Sequence, residues 1–213
     1  SLSTMSDIFT DRENKMFQDF YVAPIKRHSI VFAYIISAIL IAFMMSYVTF
    51  ILGAIYIGLT TSIWIPFMTW FSMAFVILLS TTLFASMSFV VLSFVKTTSA
   101  AGTINTLIGT LIGFLAGIYV PFGAFSKSFQ NVIQLNPAAQ IVVIMRQLMT
   151  APYIDKVFEG APLSAVNDYK QAFGISLNLF DIELSFFWIV VIGILWIALF
   201  SSIGVVRLKA YKE

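Results

Sequence analysis

Residues 10–27 read TDRENKMFQDFYVAPIKR, and beyond His28 no Asp, Glu, Lys, Arg or His occurs until Lys96. The join between a charge-dense stretch and a long charge-free run decides the fold class. Thr10 with Glu13 three residues later fits a capping box, each side chain satisfying a free backbone donor, and predicts a helix starting at Asp11. Asp11, Lys15 and Asp19 then alternate in sign at four-residue spacing on one face, while Met16, Phe17, Phe20 and Tyr21 gather on another. Pro24 cannot continue that helix and biases Ala23 away from helical angles, so the chain turns and meets Lys26, Arg27 and His28 where the apolar run begins.

Outside this stretch apolar residues dominate. Of 213 residues 60% are hydrophobic and only 10% charged, with a mean hydropathy of +0.95. Soluble domains do not have this composition, and it predicts an all-α integral membrane protein. A net charge of +2 gives no reason to expect nucleic acid as a partner. With no cysteine, disulfides and thiolate metal sites are excluded.

Four uncharged segments have the length of a membrane span. They run from Val31 to about Leu52, Phe67 to Val95, Thr103 to Gly123 and Phe186 to Val206. Gly53, Gly58, Thr60, Thr61, Ser62 and Pro66 supply the turn between the first two, with Trp64 and Trp70 near one headgroup layer. An even number of spans places both chain ends on one face. Arg12, Lys15, Lys26, Arg27, Lys96, Arg207, Lys209 and Lys212 fall on that face, against Lys127, Arg146, Lys156 and Lys170 on the other, so the termini are expected in the cytoplasm of a plasma-membrane protein.

The segment from Ala124 to Ser185 is too long for a bare connection. Asn136 and Pro137 form a cap and first-turn pair, and Ala138 to Met149 is apolar apart from Arg146. Its length suits an interfacial or re-entrant helix rather than a fifth span. Arg146 is expected to snorkel to phosphate headgroups. Ala151 to Asp181 mixes Pro, Gly, Asp, Asn and Lys as an exposed loop does.

In the third span Ala101, Asn105, Gly109, Gly113 and Gly117 recur every four residues, a small-residue stripe that lets a second helix approach closely, within one protomer or between two. The second span is rich in Ser and Thr, whose hydroxyls either bond their own helix backbone or line a polar path. No ionisable group interrupts the four spans, which disfavours proton- or ion-coupled transport. None of the metalloprotease, nucleophile-elbow or phosphate-loop motifs occurs, so no catalytic, cofactor-binding or metal-binding residues are assigned. The mixed charge around the aromatic ridge of the opening helix suits a protein groove better than a lipid surface.

With these features in order, the chain resembles the membrane subunit of type-2 ABC exporters, the family of drug, polysaccharide and lipid export permeases. The resemblance rests on Arg12-Glu13 followed by Phe17, Phe20 and Ala23-Pro24-Ile25, on the short outer turn, on Tyr119-Val120-Pro121, and on Leu135-Asn136-Pro137 opening an apolar helix before the last span. It implies that Arg12, Glu13, Phe17, Phe20 and Pro24 couple the chain to a separate P-loop ATPase holding ATP and Mg. It also implies a permease dimer, homo- or heterodimeric, within membrane lipid, and an outer gate drawn from Pro121, Asn136, Pro137 and Arg146. Asn105, Gly109, Gly113 and Gly117 are the helix-packing residues. The expected organisation is a cytoplasmic coupling segment over 1–28, three spans over 29–123, an outer segment with the re-entrant or interfacial helix over 124–185, a last span over 186–206 and a tail over 207–213. Family members usually have six spans, so the first two are expected to lie outside this chain. A non-transporting membrane anchor or assembly subunit whose opening helix recruits a cytoplasmic partner is the alternative.

Overall fold

A computed structural model describes residues 27–95, 97–176, 178–179, 182–183 and 185–210. Helix α1 runs Arg27–Thr61, α2 Phe67–Leu92 and α3 Thr98–Leu115. A 3-10 turn at Phe122–Ala124 precedes α4 (Lys127–Gln134), α5 (Pro137–Val157) and α6 (Leu163–Ala172). A two-residue antiparallel ladder, β1 (Asn178–Leu179) on β2 (Ile182–Glu183), leads into α7 (Phe186–Ala210). Among the described residues the fold is all-α apart from that ladder. Four stretches of the described residues are long and apolar enough to cross a membrane: Ser29–Thr61, Phe67–Val91, Thr98–Leu115 and Phe186–Val206.

Four span boundaries differ from the sequence reading, the first of them for a local reason. The first helix does not stop near Leu52. Gly53 and Gly58 stay inside it, and the Trp64 ring folds back so that a Cβ at Gly58 would meet its Cε3 at 2.8 Å. Gly58 therefore provides room for an indole rather than a bend. The actual reversal is Ser62, at φ 55. Thr60 and Thr61 hydroxyls donate to the carbonyls of Tyr56 and Ile57, one turn back in the same helix. The second helix ends at Leu92 rather than Val95. The third starts five residues early at Thr98 and stops at Leu115, well short of Gly123.

The chain divides into two compact units. The first holds residues 1–46, 78–109 and 194–213, of which 27–46, 78–95, 97–109 and 194–210 are described. Its core joins Ala38, Val95 and Ala101 with Ile35, Phe89 and Ile104 packed against them. Small side chains at Ala38 and Ala101 bring backbones close, and the Phe89 ring lies over Gly204.

The second unit holds residues 47–77 and 110–193. Val76 packs with Val143, Ile144 and Ile189, and Phe122 with Ile133 and Ala139. The apolar run opening α5 thus covers protein: Ala138, Ala139, Ile141, Val143 and Ile144 are all buried. Asn136 caps this helix as expected, its Oδ1 accepting from the Ala138 amide at 2.9 Å, with Pro137 in the first turn. The helix continues past Met149 through Pro152 to Val157, and the expected loop from Ala151 to Asp181 contains α6 and the first strand of the ladder instead.

Candidate functional site

The second unit contains a junction built on α5. Both α3 and α6 end in the same way. After α3, Gly117 takes φ +65, the Ile118 amide donates to the Gly113 carbonyl at 3.0 Å, and the Gly117 amide donates to Phe114 at 3.1 Å. After α6, Gly174 takes φ +62, Ile175 donates to Lys170 at 2.8 Å, and Gly174 donates to Gln171 at 3.2 Å. Each is a Schellman turn, in which a left-handed residue just past the helix closes the last carbonyls, and glycine is favoured because it has no Cβ to clash.

A single guanidinium joins the two turns. Arg146 Nη2 donates to the Gly117 carbonyl, and Nη1 donates to the Phe173 carbonyl at 2.8 Å. Helix C-termini carry partial negative charge and unsatisfied acceptors, so a planar cation placed between two of them satisfies both together. Burial lowers the pKa of Arg146 by desolvation, and a guanidinium remains protonated regardless. Both bonds direct Arg146 to protein, where the sequence reading expects phosphate headgroups. Its partners are backbone carbonyls of its own chain.

Neighbouring α5 residues extend the junction. Gln147 Nε2 donates to the Ile175 carbonyl at 2.8 Å, and the Tyr153 hydroxyl donates to Ile63 in the α1–α2 turn at 3.2 Å. Three segments distant in sequence are thus tied to one helix. Close by, Gln130 on α4 donates to Phe122 and Phe125 and closes the 3-10 turn, while Gly123 is needed because a Cβ there would meet Ala172 Cα at 2.9 Å.

The expected site residues fall into three groups. Arg12, Glu13, Phe17, Phe20 and Pro24 lie outside the described residues, as does the capping box at Thr10. Of the stripe of small residues, Ala101, Asn105, which is half-buried, Gly109 and Gly113 lie on α3 at four-residue spacing, whereas Gly117 is past its end in the left-handed conformation. A Cβ at Gly109 would meet nothing within 4 Å, and Gly113 is covered by Tyr119 of the same chain. Of the expected gate residues, Asn136, Pro137 and Arg146 share α5 and its cap, and Pro121 is an exposed residue before the 3-10 turn. The hydroxyls of α2 bond their own helix, as with Thr82 to Leu78, Ser86 to Thr82 and Ser88 to Phe84. Among the described residues no cluster of His, Cys, Asp and Glu has the makings of a metal site.

Sequence reasoning missed Gly174, Gln147 and Tyr153. Gly174 carried a readable signal, since Phe173-Gly174-Ile175 repeats the apolar-Gly-Ile ending of Ala116-Gly117-Ile118 after a helical run. Gln147 and Tyr153 carried none, because their partners are backbone atoms whose position only the fold determines.

With four helices among the described residues long and apolar enough to cross a membrane, the chain is of the membrane-protein class. Residues 1–150 match the family described as ABC-2 type transporter. The match covers more than half of the chain, and the chain belongs to that family as a type-2 ABC transporter permease. No curated protein and no solved structure matches significantly.

Proposed function

We propose that this permease moves a hydrophobic or amphiphilic substrate out of the cytoplasm, driven by ATP hydrolysis in a separate P-loop ATPase that holds ATP and Mg. The observation that carries the reading is the family match over residues 1–150, which takes in Arg12, Glu13, Phe17, Phe20 and Pro24. These residues dock on the ATPase, both chain ends face the cytoplasm of the plasma membrane, and two permeases form the working dimer. The aromatic ridge enters a groove of the ATPase, framed by charges of both signs that set register. Closure of the ATPase then displaces this segment and switches the spans between inward and outward access by rigid-body or shear motion. Pro121, Asn136, Pro137 and Arg146 act on the outer side, where the junction on α5 lets a shift of α3 be felt by α6 and the α1–α2 turn together. An interior of hydroxyls and aromatics without ionisable groups suits amphiphilic cargo.

The test is affinity purification of the full-length product from its native membrane with identification of bound proteins and an ATPase assay. A stoichiometric P-loop ATPase, lost with Phe17→Asp while membrane insertion persists, supports the reading. Normal ATPase association in that variant removes the coupling assignment, and a different stoichiometric partner replaces the exporter reading with a membrane anchor that recruits it.

A further inference from the structure

One face of α5 opens on a cleft of about 200 Å³ lined by Gln147, Thr150, Ala151, Ile154, Lys170, Ile175 and Ser176. Its size limits what it holds. Drug-sized ligands occupy pockets of roughly 300–1,000 Å³, whereas this cleft matches about six or seven water volumes at about 30 Å³ each. That is the scale of one small polar group.

Among the lining residues whose side chains are described, Lys170 is the one cation and none is an acid. The cleft adjoins the C-terminus of α6, whose dipole would ordinarily repel an anion. Here most carbonyls at that end have donors. The carbonyls of Tyr169, Lys170 and Gln171 accept amides of the Schellman turn, Phe173 accepts from Arg146, and Ile175 accepts from Gln147. With these acceptors occupied, the Lys170 ammonium is the charge that the described lining brings, and the Ser176 hydroxyl adds a second donor. Thr150 is directed to its own helix through Arg146, leaving its methyl beside Ala151 and Ile154 as an apolar wall. That α5 face continues into Val157, which is 72% exposed, and Phe173 beside the cleft is 48% exposed.

A small cationic cleft opening onto bare apolar surface in a membrane protein fits a phosphate group carried by an acyl chain. We infer that the cleft formed by α5 and the end of α6 binds the phosphate of an anionic phospholipid, with Lys170 pairing the charge, Ser176 donating to a phosphate oxygen, and Val157 and Phe173 bordering the chain. This site goes beyond the export reading and does not depend on it, since Lys170 and Ser176 have no part in the proposed ATPase contact.

The probe is native mass spectrometry of the purified full-length chain, released from detergent micelles containing either phosphatidylglycerol or phosphatidylcholine. Preferential retention of phosphatidylglycerol is expected, falling about tenfold in Lys170→Glu, as for loss of a charge-assisted contact. Lys170→Arg should restore it, and Lys127→Glu, on the exposed start of α4, should leave it unchanged. Ser176→Asp, which brings a carboxylate to the cleft while keeping Lys170, should also reduce it. Equal retention in Lys170→Glu and the parent chain overturns the proposal. Inorganic phosphate bound with the same dependence on Lys170, without preference for phosphatidylglycerol, overturns the lipid as the source and assigns the cleft to free phosphate. Matching thermal unfolding of the variants in detergent separates lost binding from lost folding.

Discussion

The two units of this chain hold themselves together by different means. In the unit containing residues 27–46, 78–109 and 194–210, small residues bring helices close, and hydroxyls such as Ser86 and Ser202 donate to carbonyls three or four residues back in their own helix. In the unit containing residues 47–77 and 110–193, Arg146, Gln147 and Tyr153 reach carbonyls 27 to 90 residues away. The first arrangement is non-directional and tolerates substitution of similar volume. The second depends on atoms meeting at fixed angles, so loss of one donor leaves a specific acceptor without its partner. Mutations should therefore separate the two units by the size of their effects.

The largest effect is expected at Arg146. Replacement by Leu keeps the apolar stem but removes donors from both Schellman turns, and charge-assisted bonds of this kind are worth about 2–4 kcal/mol together. A lower midpoint in thermal or denaturant unfolding in detergent should show it, with increased proteolysis near residues 117 and 173. Arg146→Lys should recover only part, because a point charge cannot span two carbonyls as a planar fork does. If Arg146→Leu unfolds like the parent chain, the junction is ornamental and the contrast between the units fails.

Next come the two glycines, which sharpen the comparison within one motif. Both have positive φ, so Ala at either costs about 1 kcal/mol from backbone strain. Their surroundings differ. A Cβ at Gly117 would meet nothing nearer than 3.5 Å, whereas at Gly174 it would meet Phe122 Cβ at 3.0 Å and Arg146 Nη1 at 3.1 Å. Gly174→Ala should therefore unfold at a lower denaturant concentration than Gly117→Ala, and equal midpoints would show that strain alone matters there. Asn136→Ala should follow, losing about 1 kcal/mol with the α5 cap.

The sequence was most informative where one residue type carries one local meaning. Charge-free runs announced the four spans, and Asn136-Pro137 announced the start of α5. It was least informative where one residue has two uses. Gly117 sits at the right spacing for a packing stripe and is equally a helix stop, and nothing in the four-residue period distinguishes them. Counting the length of α3 from Thr98 would have favoured the stop, since about 18 residues nearly span the apolar core. Arg146 posed the same difficulty. An isolated cation on an apolar helix reads as a headgroup contact, because the alternative partners are carbonyls at helix ends brought near by folding alone. Arg12, Glu13, Phe17, Phe20 and Pro24 read as part of an amphipathic segment, and the coupling role proposed for them rests on the family rather than on a geometry.

The smallest effect is expected in α2, where Thr82 donates to Leu78 at 2.8 Å and Ser86 to Thr82 at 2.8 Å. Those carbonyls lie within the helix and already accept its backbone amides, so each hydroxyl supplies a second bond rather than a first. Thr82→Val removes the donor at nearly constant volume and orphans no acceptor. Stability should change by less than about 0.5 kcal/mol, within the usual range for such sites. A polar path predicts otherwise: hydroxyls serving a cargo would leave folding untouched and still lower transport in a reconstituted assay. Unchanged unfolding with unchanged flux assigns the α2 hydroxyls to their own backbone. Unchanged unfolding with reduced flux would place the polar function of the chain in its apolar unit, reversing the contrast that Arg146 establishes.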